Sequence, residues 1–309
     1  MRISVLLLLL TICGSGVAET RLATVFSDGM VLQRNTDVGI WGWDDPGQRV
    51  SVRAGWGARA SARADDDGRW RLALETPGAG GPFMLSVKGS TRLERRDVLI
   101  GEVWFASGQS NMDMRMRGNT NQPIIGSNEA ILNAANDRIR LFTAARQWDE
   151  SPMDDAEGEW AKASPETVKA FSAVGYFFAR KLEGLLGVPV GIISSAWGGS
   201  NVESWIDAET LLSYDHLAFR AATAGEPVRR TPSLMYNGML YPFLGYGIRG
   251  VIWYQGESNR ARPAEYRVLF PAMVEAWRRQ WGIGDFPFYY VQIAPKDWAG
   301  GNSAFLREA

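Results

Sequence analysis

The first candidate for chemistry in this chain is a serine between a strand-like run and a helix-like one. Ser110 lies in Ser107-Gly108-Gln109-Ser110-Asn111-Met112, directly after the apolar Val103-Trp104-Phe105-Ala106. On a tight strand-to-helix turn a hydroxyl stands free at the sheet edge. Its own backbone N–H also points into the site, where it can hold the oxyanion formed when an acyl carbonyl is attacked. Gly108 permits such a turn. A serine at the head of a helix can equally be an N-cap. The run also departs from the Gly-x-Ser-x-Gly elbow, because Met112 stands where the second glycine would be.

Two further segments follow strand-like runs. Ser194-Ser195-Ala196-Trp197-Gly198-Gly199-Ser200-Asn201 comes after Val190-Gly191-Ile192-Ile193. Adjacent glycines let the backbone approach a ligand, and their N–H groups can cradle an anion. Trp253-Tyr254-Gln255-Gly256-Glu257-Ser258-Asn259 comes after Gly250-Val251-Ile252. Gln255 offers an amide donor for an oxyanion. Glu257 offers a carboxylate that can orient a histidine or bind a sugar hydroxyl. Each segment alone reads as readily as a plain turn or a capped loop. Their joint placement at three strand ends is what points to a site.

The elements that must position these loops fall into two regimes. From about Glu19 to Asp97 the pattern is short and alternating. Val50 and Val52, then Trp70, Leu72 and Leu74, then Phe83, Leu85 and Val87 each mark one face. Asp44-Asp45-Pro46-Gly47, Asp65-Asp66-Asp67-Gly68 and Pro77 to Pro82 supply turn chemistry between them. This predicts a small antiparallel β-sandwich over 19–97. Trp41, Trp43, Trp56 and Trp70 are read as its core in preference to a sugar platform. From Val98 onward, apolar runs at 98–107, 138–142, 188–196, 250–254 and 287–294 alternate with helical stretches at 172–186 and 263–281. That alternation predicts a parallel α/β sheet with helices on both faces over 98–309. Ligands of such sheets bind beyond the carboxyl ends of the strands.

The 309 residues are 46% hydrophobic and 22% charged, with a net charge of -1. That composition is ordinary for a globular chain, and no basic stripe points to nucleic acid. Met1-Arg2, a short apolar run and the small residues Gly16 and Ala18 read as a signal peptide over 1–18, which predicts a secreted or periplasmic protein. The run is too short to span a membrane as a helix. Cys13 is the only cysteine, so the mature chain is expected to hold no disulfide, thiolate metal site or cysteine nucleophile.

Taken together, the three loops resemble the sialate O-acetylesterase family within the SGNH-hydrolase group, which also includes acetylxylan esterases. Phe26 to Arg34, Trp41-Gly42-Trp43, Asp67-Gly68-Arg69-Trp70 and Asp97 to Trp104 extend the resemblance over nearly the whole mature chain. It implies a flavodoxin-like three-layer domain with a parallel sheet, preceded by the sandwich. It implies Ser110 as nucleophile of an acyl-enzyme, with no metal and no cofactor. The Ser110 N–H, Gly198 or Gly199, and Gln255 would form the oxyanion hole. Glu257 would support the catalytic histidine or the donor loop, and Asn111, Asn201 and Asn259 would brace the loops or meet an acetylated sugar. Within the same chemistry the substrate is acetylated sialic acid or acetylxylan. The rival from another class is a glycan-binding protein with an emptied site, and a lipase-like esterase ranks below both because no long apolar lid segment is visible.

A serine needs a general base, normally histidine. In the resembling family it sits in an Asp-x-x-His run near the end of the domain. The one histidine here, His216 in Ser213-Tyr214-Asp215-His216-Leu217, is mid-chain and outside any such run, so it is read as a surface or capping residue. Asn302 to Ala309 reads as the beginning of a helix. The expectation is that the domain's C-terminal part, and its histidine, lie beyond Ala309, and that the chain as given is a weak esterase.

Overall fold

The computed structural model describes residues 19–217, 227–298 and 301–309; the signal-like segment 1–18 lies outside them. In chain order the strands are β1 (Arg21–Leu22), β2 (Val31–Gln33), β3 (Asp37–Trp43), β4 (Arg49–Ala54), β5 (Arg59–Arg63), β6 (Arg69–Glu75), β7 (Gly80–Lys88), β8 (Arg92–Gly108), β9 (Asn136–Ala144), β10 (Gly158–Ala163), β11 (Val190–Ala196), β12 (Gly250–Tyr254) and β13 (Phe288–Tyr290). The helices used below are α1 (Ser110–Asp113), α2 (Ser127–Leu132), α3 (Pro165–Ala170), α4 (Ala173–Leu186), α5 (Ala208–Leu212) and α6 (Pro263–Trp281).

One strand joins the two regimes. The first half of β8 pairs antiparallel with β7, while β1, β3 and β6 form a separate small sheet. Its second half, Glu102 to Gly108, pairs parallel with β11 on one side and β12 on the other. The boundary placed after Asp97 in the sequence therefore falls inside a continuous strand. The change in texture there is a change of neighbours: the alternating part has one wet face, and the continuous apolar part is covered on both.

The parallel sheet runs β9-β11-β8-β12-β13, with β10 antiparallel at the β9 edge. The run β11-β8-β12-β13 has the strand order of a flavodoxin-type sheet, and the β9-β10 pair extends it outside β11. The period-two alternation of strands divides the core. Val103, Phe105, Phe142, Ile193, Val251 and Trp253 pack with Leu269, Met273 and Trp277 of α6 on one face. Trp104, Ala106, Ile139, Leu141, Ile192 and Ile252 pack with Ala173, Tyr176 and Ala179 of α4 on the other. Helix α4 begins at Ser172, whose hydroxyl accepts the Gly175 N–H, and ends at Gly187 in the left-handed conformation. Strand β13 is shorter than the apolar run that predicted it.

Candidate active site

Three parallel strands end at one level. Gly108 is in register with Ala196 on one side and Tyr254 on the other. The loops they launch are tied together by backbone bonds: Gln109 N–H donates to Tyr254 O (3.0 Å), and Trp197 N–H donates to Gly108 O (3.2 Å). Ser110 is exposed at the head of α1. The glycine loop runs flat against it, since a Cβ added to Gly198 would lie 3.5 Å from Ser110 Cβ. Gln109 is buried; its Oε1 accepts the N–H groups of Gly256 (3.3 Å) and Ser258 (3.2 Å), and its Nε2 makes a long 3.5 Å contact to Ser110 Oγ. Met112, where an elbow would carry glycine, is fully buried against the α4 side of the sheet.

Asn111 joins the first loop to the third by donating to Glu257 Oε1 at 2.6 Å. The other carboxylate oxygen, Oε2, is buried without a hydrogen-bond partner. Burial pushes the Glu257 carboxyl above the ordinary glutamate range, against the opposing pull of its own backbone N–H and of Asn111. A raised folded pKa means that the unfolded chain ionises first as pH rises, so the fold loses stability between the ordinary and the raised value. We expect Glu257→Gln to gain Tm relative to wild type across that window and to gain nothing below it. Parallel Tm-against-pH curves for the two proteins would show that Glu257 is not held protonated by the fold.

The structure separates the expected oxyanion donors. Ser110 N–H and Gly199 N–H have no acceptor among the described residues, and Gly199 adopts φ +83°. Gly198 N–H points instead at Asp113 Oδ2 (3.3 Å), a carboxylate that also receives Arg146. Gln255, expected as an amide donor, is buried with both amide hydrogens in use, on Ser200 O (3.1 Å) and Asn259 Oδ1 (2.7 Å). Its position as a donor to substrate is thus corrected to a brace between two loops. Asn259, expected near substrate, is 1% exposed. Its Oδ1 also accepts Val202 N–H (2.9 Å), and its Nδ2 donates to Glu203 Oε2 (2.8 Å). Buried polar groups need partners, and this network supplies them for the second and third loops at once. Asn201 is buried too and donates to Arg230 O at 3.1 Å.

Asn259→Leu, a change of similar size, should therefore strand three buried polar groups. A loss of about 3 kcal/mol follows at 1–3 kcal/mol for each unsatisfied group, with incomplete additivity. Thermal unfolding measures it. An unchanged Tm with weaker substrate binding would return Asn259 to the substrate.

His216 is exposed in the turn after α5, and its ring lies 6.5 Å from that of Tyr214. No histidine among the described residues contacts Ser110, and no His, Cys, Asp and Glu group among them is arranged to hold a metal ion. Of the four sandwich tryptophans, Trp70 and Trp41 are buried. Arg71 lies over Trp41 at 4.6 Å and Arg21 over Trp43 at 3.8 Å, so these rings are already covered by cations.

Comparison with known proteins bears on this geometry. Residues 100–308 match the family described as carbohydrate esterase, sialic acid-specific acetylesterase. The chain belongs to that family. It is 30% identical over 307 residues to the sialate O-acetylesterase of Homo sapiens, covering 89% of this chain and 57% of that one. It is 29% identical to the Mus musculus sialate O-acetylesterase, covering 94% and 63%. A crystal structure of a novel carbohydrate acetylesterase from Xanthomonas citri superposes with a TM-score of 0.83 at 37% identity, covering 94% of this chain and 65% of that one. The chain thus spans little more than half the length of the curated human relative. No described helix is long and apolar enough to cross a membrane.

In this member of the esterase family, several residues around Ser110 had escaped assignment. Gln109 stands beside Ser110, and only the fold shows that it is buried while the serine is exposed. Asp113 carries the carboxylate nearest in sequence to Ser110, yet its partners Gly198 and Arg146 come from other loops. Glu203, 2% exposed, is paired with Arg262 and Asn259, and only the folded path of the chain shows that.

Proposed function

We propose that this chain is a carbohydrate O-acetylesterase of the SGNH type that removes acetyl groups from sialic acid through a serine acyl-enzyme. The observation that carries the reading is the exposed Ser110 hydroxyl at the head of α1, with the Gly198-Gly199 loop laid against it and the N–H groups of Ser110 and Gly199 unused. Ser110 Oγ attacks the acetyl carbonyl, and the resulting oxyanion takes those two N–H groups. Collapse expels the sugar alcohol and leaves an acetyl ester on Ser110, which water then cleaves to acetate. Asn111 and Glu257 hold the first loop to the third, and Gln255 and Asn259 hold the third to the second, so the donors keep their places during both steps.

The attack needs a general base, a role that histidine normally fills in serine hydrolases. The base takes the Ser110 proton and passes it to the departing sugar oxygen. The pattern of residues 1–18 supports export, and with it a secreted or periplasmic site of action.

Acetate release from an O-acetylated sialic acid and from acetylxylan tests the reading, with Ser110→Ala as the control. Added imidazole, a diffusible general base, should raise release in a Ser110-dependent way. No Ser110-dependent acetate with either substrate, imidazole present, rejects the esterase; glycan retention without release favours a binding protein.

A further inference from the structure

Arg229 is a cation at the rim of this site without a partner among the described residues. It is half-buried, and its Nε is shut off from solvent with no hydrogen-bond partner. Burying such a donor unpaired is costly. Other arginines are matched: the buried Arg140 by Asp97, the part-buried Arg262 by Glu203 and Glu265, and the exposed Arg71 by Leu244 O. Arg229 has no carboxylate among the described residues.

Its place is defined by the glycine loop. A Cβ added to Gly199 would lie 2.8 Å from Arg229 Nε, as one added to Gly198 would lie 3.5 Å from Ser110 Cβ. Two consecutive glycines therefore lie between the nucleophile and the free guanidinium. Neighbouring Arg230 is exposed, with its Nε 3.4 Å from Gly199 O. The nearby carboxylate, Asp113, is already held by Arg146 and Gly198 N–H. Among the described residues this rim of the site is thus positive and uncompensated.

We propose that Arg229 is a specificity-determining residue that binds the carboxylate of an anionic acetylated sugar while Ser110 faces its ester. The inference rests on the esterase reading above and deepens it. A sialic acid carries a carboxylate besides its acetyl ester, whereas a xylan backbone is neutral. A guanidinium presents a planar fork of donors that matches a carboxylate in two parallel bonds, and it stays charged at every accessible pH.

The test is equilibrium binding by calorimetry, which needs no base. In a Ser110→Ala background, an O-acetylated sialic acid is compared with its methyl ester. The free carboxylate should bind roughly ten- to a hundred-fold more tightly, as a hydrogen-bonded charge pair allows, and the margin should shrink with added salt. Arg229→Gln should erase the margin without changing Tm, and Arg229→Lys should restore part of it. Equal binding of the two ligands, binding of neither, or a margin that survives Arg229→Gln overturns the role of Arg229. The esterase reading is judged separately by Ser110-dependent acetate release: that release can persist while the carboxylate margin is absent, or fail while the margin stands.

Discussion

With imidazole supplied as a base, replacing Ser110 with alanine is expected to abolish the imidazole-dependent release of acetate and to move Tm by no more than about 2 °C. The two halves of that expectation come from different facts. Ser110 is exposed, and its hydroxyl makes one long contact, to Gln109 Nε2 at 3.5 Å, so the fold owes it little. Exposed substitutions away from caps and networks usually stay within about 0.5 kcal/mol. On the proposed mechanism the chemistry owes it much: without a nucleophile, only the proposed oxyanion donors and bound geometry would remain, and in serine hydrolases generally the loss is several orders of magnitude. Because alanine keeps the backbone N–H, the donor at Ser110 survives, and the variant should still bind ligand. Acetate release and ligand affinity measured on the same preparation separate the two. Release at even a tenth of the wild-type rate would show that another residue attacks the ester.

The strand ends that meet at the candidate site are legible in the sequence because local signals carry their geometry. Apolar runs ending in Gly108, Ala196 and Tyr254 mark three strands, and glycines or small polar residues mark the turns that follow. The role of each polar side chain in those turns was not legible. Gln255 is an amide whether it faces substrate or Ser200 O, and its acceptors are fixed only when β11 and β12 flank β8. The same holds for Asn259 and Glu203, which lie 56 residues apart in the chain and 2.8 Å apart in the fold. The unbroken reach of β8 from Arg92 was hidden for another reason. Arg92-Leu93-Glu94-Arg95-Arg96 has the polarity of a half-wet strand, and nothing local says that it continues into a strand buried on both faces. Trp41, read as sandwich core, is buried, and Arg71 and Arg21 lie over the Trp41 and Trp43 rings.

Gly108→Ala should be the most damaging conservative change in this site, because it strikes the point where the three strands end together. Gly108 has φ +136°, a region that residues with a Cβ rarely enter. The space is closed as well: an added Cβ would lie 2.3 Å from Tyr254 O and 2.7 Å from its carbonyl carbon. Those are backbone atoms of the adjacent strand, held by the β8-β12 ladder, and they have no rotamer to change. Backbone strain of about 1–3 kcal/mol and overpacking of about 1–3 kcal/mol together predict a loss of about 4 kcal/mol, or roughly 10 °C in Tm. The alternative outlet is for β12 to move away from β8. That movement would draw Gln109 N–H off Tyr254 O and pull Glu257 from Asn111, so activity should fall further than the stability loss explains. Ser110-dependent turnover measured well below Tm distinguishes the two outlets. If the variant melts about 10 °C lower yet keeps full turnover at low temperature, the strain stays in the turn and the three loops do not depend on their common level for function. If turnover is lost as well, the alignment of Gly108, Ala196 and Tyr254 is itself part of what makes Ser110 a working nucleophile.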